Sequence, residues 1–358
     1  MLINAKFLNV LNKILQMNIK QLSKKLGLSI TTVSRALGGY SDVSKKTKER
    51  VKKFAKKYKY SPNLNASRLA SNKSNTVGFV LPLYGLNANQ LNQSSFFEFI
   101  AGMSKKLNNE NIHFFMFFAN NAEEEKHAYN KLIFVEKVTK IILHNLKTND
   151  DRIKLLTKNK INFVTWGRTK ELKNYSWVDL DNEYSTNLIM NYLFERNHDK
   201  IAYINIVENY NFAFQRKKGY LSALKKNKIS YNKKYYATVK TEGPEHSAKL
   251  IKNMLIANPE ISAIVCSTEY TAVGAIKACN DLNKKIGKDI SIITFDGPVV
   301  ESLTSPALTA VNHPRKELGL KAIEMLINMD GKNYKHQSYL AKPKIIDRGS
   351  VHKIIKAS

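Results

Sequence analysis

The 358-residue sequence predicts an α/β protein in two unequal parts: a short all-helical amino-terminal segment, then a long alternation of strands and helices. Three observations predict it. Positive charge is concentrated at the start, with 17 basic and 2 acidic side chains in residues 1–75 against 41 and 27 in the remainder. The apolar residues there recur at helical spacing between capping residues. Beyond residue 76 the pattern changes to short, nearly continuous apolar runs separated by amphipathic segments, as in parallel sheets covered on both faces.

In chain order, residues 1–16 precede Met17, which stands immediately before the first helix start, so they are expected to form an extension outside the fold. Their apolar stretch is broken by Asn9, Asn12 and Lys13, and no small-residue cleavage site follows, so a signal peptide is not expected. Three helices come next. Asn18 caps IKQLSKKL, Ser29 caps ITTVSRAL and Ser44 caps KKTKERVKKFAKKY, with Gly27 and the Gly38-Gly39 pair closing the first two. Ile19, Leu22, Leu26, Leu28, Val33, Leu37, Val51, Phe54 and Tyr58 place an apolar stripe on each, enough for one small shared core; helices this short do not stand alone. Ser61 and Pro62 stop the third helix, which sets this domain at 17–62, and residues 63–75 form a polar connector with only Leu64, Ala66, Leu69 and Ala70 as apolar material.

Strands are expected at 76–83, 112–120, 140–145, 161–167, 200–206, 235–239, 263–268 and 290–296, alternating with helices such as 97–109, 183–195, 215–226, 246–257, 270–283 and 315–329. That is too many units for one comfortable sheet, so two side-by-side doubly wound subdomains with a cleft between them are expected. Ligands of such sheets sit at the carboxyl ends of the strands.

The amino-terminal helices have a particular logic. Ser23 supplies a small residue where two helices cross, Gly27 the sharp turn and Val33 the anchor of the second helix, which together make a helix-turn-helix. The outward face of the second helix is then Ile30, Thr31, Ser34 and Arg35. Hydroxyls suit bases or phosphates, a β-branched side chain packs on a thymine methyl, and arginine forks onto guanine. Any capped three-helix packing shows similar spacing. The local charge, with Lys45, Lys46, Lys48, Lys52 and Lys53 alongside, favours double-stranded DNA as the partner, although lysine-rich composition throughout is also what an AT-rich coding sequence produces.

Other classes find little support. Cys266 and Cys279 are too few for a disulfide framework and lack zinc-site spacing, and the eight histidines show no metal-binding pattern, so neither metal nor cofactor is expected. No apolar run approaches a membrane span of about 20 residues, so no membrane partner and a cytoplasmic location are expected. The nucleophile-elbow, zincin, P-loop and dinucleotide motifs are absent from the sequence, so no enzyme is expected. A sugar-binding module without gene control is the rival from another class; the basic helical segment opposes it.

The stretch NIKQLSKKLGLSITTVSRALGGYSDVSKKTKERV, followed by KYKYSPNLNASRLASNKSNTVGFVLP, resembles the DNA-binding headpiece and hinge of the LacI/GalR (lactose/galactose repressor) family, and the resemblance continues to about residue 350. It departs from the family pattern in having Ser23 where alanine is usual and in its amino-terminal extension. The resemblance implies a homodimeric repressor on a pseudo-palindromic operator, with Ile30, Thr31 and Arg35 reading bases. Ser29, Thr32, Ser34, Lys45 and Asn63 would contact the backbone. Residues 63–71 would form a hinge that becomes helical on DNA, with Ala66 and Leu69 at the minor groove; Leu69 is either a wedge or linker packing.

The same resemblance implies a periplasmic-binding-protein-like core over 76–352, with an N-subdomain of 76–196 and 311–335 and a C-subdomain of 197–310 and 336–352. It is carried by FFEFIAGM, VDLDN, QRKKGYLSAL, CSTEYTAVGA, GKDISIITFDG and LTAVNHPRKELG. Arg216 and Asp296 would meet the vicinal hydroxyls of a sugar effector, with Asp181, Thr268, Glu269 and Arg168 at other cleft positions and Phe96, Phe97 and Trp166 available to stack. Asp181 serves equally as a helix cap, and Arg168, Trp166 and the two phenylalanines as rim or core. Thr268 stands where many relatives carry asparagine. GLSITTVSRALGGYSDV, with TWGR and CST later, is similar to members that respond to α-glucosides and other disaccharides; a purine effector is the alternative.

Overall fold

The computed structural model describes residues 17–58, 60, 76–85, 90–171, 174–240, 243–295, 297, 300, 302–329 and 334–355. The extension 1–16, Asn63, Ala66 and Leu69 of the connector, and Asp296 therefore lie outside the described residues. The chain divides into two compact units, Met1–Ser74 and Asn75–Ser358.

The first unit contains α1 (Ile19–Leu26), α2 (Ile30–Leu37) and α3 (Lys45–Lys57). Each begins at the cap its sequence supplies. The Asn18 side chain accepts from the Gln21 amide while Gln21 reaches back to Asn18, and Ser29 and Ser44 accept from the amides of Thr32 and Thr47. Leu22, Leu26, Val33, Ala36, Val43, Val51 and Ala55 form the core. Ser23 is buried with them, and its hydroxyl donates to the Lys20 carbonyl at 2.9 Å, which satisfies the polar group locally. The Arg50 guanidinium donates to the Leu26 carbonyl at 3.0 Å and so ties α3 to the end of α1.

The second unit contains two six-stranded sheets. The first holds β1 (Thr76–Pro82), β2 (His113–Ala119), β3 (Lys140–His144), β4 (Asn162–Trp166), β5 (Ser176–Leu180) and β11 (Ser338–Ala341), in the order β11-β5-β4-β3-β1-β2 and all parallel. The second holds β6 (Ile201–Ile206), β7 (Tyr236–Val239), β8 (Ala263–Cys266), β9 (Ser291–Phe295), β10 (Thr309–Val311) and β12 (Ile345–Ile346), in the order β12-β10-β9-β8-β6-β7, parallel except for the β10–β12 pair. The connecting helices include α4 (Gln90–Asn109), α5 (Ala122–Asn130), α6 (Asp151–Lys158), α7 (Asn182–Phe194), α8 (Asn211–Lys226), α9 (Pro244–Ala257), α10 (Glu269–Asp281) and α11 (Arg315–Asn328). Central strands β1, β3, β6, β8 and β9 are buried along their whole length, which is why each reads as a largely apolar run.

Two differences from the sequence reading stand out. β5, β10, β11 and β12 were not expected, being two to five residues long and, in β5, β10 and β11, carrying polar or charged side chains. The subdomain boundaries also move. β10, including Val311, belongs to the second sheet, and β11 pairs with β5 in the first, so the chain crosses after residue 311 and again after 341 rather than at 310 and 335.

Candidate DNA-reading helix and effector cleft

On α2, burial of Val33 and Ala36 turns Ile30, Thr31 and Ser34 outward; Ile30 is 45% exposed. An isoleucine that exposed on an otherwise well-packed small domain has water or a partner as its only environment. Ser29 and Thr32 are engaged with each other, hydroxyl to hydroxyl at 2.8 Å, so both belong first to the helix start and offer only their remaining lone pairs outward. Lys45 is exposed at the first turn of α3. Arg35 is half-exposed, and its Nε donates to Asp42 at 2.7 Å.

In the second unit a cavity of about 150 Å³ opens where the carboxyl ends of both sheets converge, a volume that takes one six-membered ring. Its wall is contributed by the ends of β3, β4, β5, β8 and β9 and by α4, α7, α8, α10 and the start of α11. Arg216, 5% exposed on α8, has its guanidinium 3.4 Å from the Phe295 ring centroid and 4.9 Å from that of Phe212. Its Nε donates to Asn182 at 2.9 Å and its Nη1 to the Ser267 carbonyl. Burial presses this guanidinium down to about 9, so it stays protonated at neutral pH.

Across the cavity Arg168 donates to Asp179 at 2.8 Å and lies 4.9 Å from the Trp177 ring centroid. Burial raises the Asp179 carboxyl above its ordinary range against the pull of Arg168. Trp166 stacks on Phe99 at 4.3 Å between centroids with planes 4° apart, so one face of the indole is already covered. Burial holds His144 down to about 3 and His313 well below its ordinary value, so both rings are neutral. Two buried polar atoms of the wall, Ser267 Oγ and His313 Nε2, have no hydrogen-bond partner among the described residues. Glu269 is 5% exposed, and its carboxylate occupies the space a side chain on Gly297 would need: a Cβ there would stand 2.0 Å from its Cδ.

Of the expected cleft residues, Arg216, Thr268, Arg168, Glu269, Phe96 and Trp166 line the cavity. Two do not. Asp181 caps α7, its Oδ1 accepting from the Tyr184 amide at 3.1 Å, and its place in the wall is taken by Asp179 and Asn182 on either side. Phe97 is 58% exposed and points away, one helical step from buried Phe96. Thr268 is both wall and N-cap of α10. The sequence reading missed Asp179, Asn182, His144, Phe212, Phe295 and Arg315; for Asp179 and Phe295 the available signal was a polar or aromatic residue at the last positions of a strand. Among the described residues no group of His, Cys, Asp or Glu could hold a metal ion, and no helix is long and apolar enough to cross a membrane.

Comparison with known proteins adds to this geometry. Residues 18–63 match the model of bacterial regulatory proteins of the lacI family, and residues 190–351 match a periplasmic binding protein-like domain. The chain is 32% identical over 282 residues to the HTH-type transcriptional regulator AglR of Rhizobium meliloti (strain 1021), covering 78% of this chain and 77% of that one. It is similar to the crystal structure of a regulatory protein of LacI family from Chloroflexus aggregans, with a TM-score of 0.70 and 27% identity, covering 78% of this chain and 99% of that one. It shares its fold with the lac repressor dimer bound to operator and the anti-inducer ONPF, with a TM-score of 0.77 and 20% identity, covering 94% and 99% of the two chains. With a capped helix-turn-helix ahead of two doubly wound sheets, and with a relative of that identity along most of its length, the chain belongs to the lacI family of bacterial regulatory proteins and is a DNA-binding transcriptional regulator.

Proposed function

We propose that the protein is a repressor whose operator affinity is set by a small carbohydrate held in the cleft. One observation carries the reading: the cavity wall combines aromatic rings, Phe96, Phe212 and Phe295, with buried hydrogen-bonding groups, Arg216, Asp179 and Ser267 Oγ, which has no partner among the described residues. A sugar ring has the matching combination, apolar C–H faces and a rim of hydroxyls. With Nε and one N–H of Nη1 engaged, the remaining N–H groups of Arg216 are the donors a hydroxyl would meet. The cavity takes one ring, so a disaccharide would leave its second ring at the mouth. Glucosides are the expected class.

On DNA, Ile30, Thr31 and Arg35 are the base readers in this reading. Ser29, Thr32, Ser34, Lys45 and Asn63 hold the backbone, and Ala66 with Leu69 occupies the minor groove at the centre of a pseudo-palindrome. The second half-site calls for a second copy of the chain. Edge strand β2, with Phe118 more than half exposed, supports a homodimer. The protein acts without catalysis, in the cytoplasm. Sugar in the cleft changes the relative pose of the two subdomains and with it the spacing of the paired hinges, so effector and operator affinities are linked reciprocally.

The test is a thermal-shift screen of sugars, sugar phosphates and nucleobases. A cleft ligand at 100 times its Kd raises stability by about 2.7 kcal/mol. Stabilisation by a glucoside, accompanied by a change in Trp166 fluorescence, is the expected result. Stabilisation by nucleobases alone would replace sugar with purine in the account.

A further inference from the structure

The turn after α2 brings two side chains back onto Arg35. Gly39 adopts φ +76°, and the Tyr40 amide then donates to the Arg35 carbonyl at 3.1 Å, folding the chain against the end of the helix it has just left. The Tyr40 ring lies under the guanidinium, 4.7 Å from Cζ to centroid. That placement needs Gly38, because a Cβ there would stand 2.8 Å from Cε2 of the ring. On the other side Asp42 Oδ2 accepts from Arg35 Nε at 2.7 Å. Nε is the donor nearest the stem, so the contact leaves Nη1 and Nη2 for another acceptor pair, and guanine O6 and N7 are such a pair.

Asp42 is an unexpected residue here. It is one of two acids among the first 75 residues, beside 17 bases, and any carboxylate on this face weakens attraction to phosphate. We propose that Asp42 and Tyr40 are positioning residues for base reading, which hold the Arg35 fork with its two terminal amino groups presented and exchange non-specific affinity for discrimination. The inference rests on Arg35 being a base reader. The pair is a surface one, so its contribution lies in restricting a long side chain before binding and is modest in size.

The test uses the full chain, an operator selected by the wild-type protein from a randomised duplex pool, and a random duplex of equal length, with binding followed by fluorescence anisotropy at several salt concentrations. Asp42→Ala and Asp42→Asn are expected to tighten binding to the random duplex, while the operator-to-random ratio falls roughly two- to fivefold. The loss should fall on the base pair that Arg35→Ala also stops discriminating, and Asp42→Ala should lower the ratio no further in an Arg35→Ala background. Tyr40→Phe, which keeps the ring, is expected to behave as wild type, and Tyr40→Ala to lose discrimination at the same base pair. Equal tightening on both duplexes would reduce Asp42 to a bare charge and overturn the proposal. A raised ratio would overturn it the other way, by making Asp42 a restraint on Arg35. If Arg35→Ala itself left the ratio intact, the base-reader assignment would fall, an outcome separate from failure of Asp42 alone.

Discussion

In the amino-terminal unit, Ile30, Thr31 and Ser34 come from one eight-residue helix, and burial of Val33 and Ala36 decides which way they face. The cavity of the second unit is assembled differently. His144, Trp166, Asp179, Phe295 and Arg216 reach it from strand ends and a helix spread over more than 150 positions, and each is aimed by tertiary packing. A surface carried by one helix is set by local periodicity. A wall assembled from many loops is set by sheet order and by where each strand stops. The two units should therefore respond differently to substitution, salt and pH.

The largest separation is expected from Arg216→Ala, which removes a guanidinium packed against Phe295 and near Phe212. Charge-assisted hydrogen bonds of this kind contribute about 1.5–3 kcal/mol, so sugar affinity should drop roughly ten- to a hundredfold or more in a Trp166 fluorescence titration. Operator affinity without sugar should stay within about threefold. Arg35→Ala is the converse. It is expected to weaken operator binding roughly ten- to a hundredfold and flatten base preference at one position, with the sugar titration unchanged. Loss of both activities in either variant would erase the distinction between the units.

Acid gives the next effect. The sequence has no histidine before residue 113, whereas His144 and His313 of the second unit are held neutral by burial. An unfolded histidine takes up its proton near pH 6.5, but the folded His144 does so only at about 3. Stability from such a group is complete above about pH 6.5 and is lost as pH falls toward the folded value, by about 2 kcal/mol for His144 at pH 5, with His313 acting in the same direction. Both tryptophans, Trp166 and Trp177, lie in the second unit, so urea unfolding followed by their fluorescence should show a lower midpoint at pH 5 than at pH 7. Hydrogen-exchange protection of the Leu22 and Val33 amides, corrected for intrinsic rate, should not change over that interval. The smallest effect belongs to Phe97→Ala, which should leave sugar affinity within about twofold because the ring points to solvent; a tenfold loss would return Phe97 to the cleft.

Legibility followed the same division. Caps at Asn18, Ser29 and Ser44, the helix-turn-helix and the outward face of α2 could be read because each depends on residues within four or five positions. What the sequence did not reveal at Arg35 was its engagement with Asp42 and Tyr40, which depends on how a glycine turn folds back. In the second unit the two-sheet architecture and most strands were legible from buried apolar runs, but short β10, β11 and β12 take their identity from partners and not from composition. Arg216 and Thr268 stood in recognisable motifs. For Asp181, where wall and cap were equally open, the cap reading holds, and Phe97 faces solvent; a shift of one or two residues at a strand end or on a helix turns a side chain from wall to cap or from core to solvent, and only packing decides which.

The coupling of cleft to operator is tested most directly by titrating one preparation with a cleft-binding glucoside while recording Trp166 fluorescence and operator anisotropy together. The account predicts that operator affinity changes over the same sugar range in which the cleft fills, with a shift of about 1–3 kcal/mol at saturation. A cleft that saturates while operator affinity stays constant would contradict it.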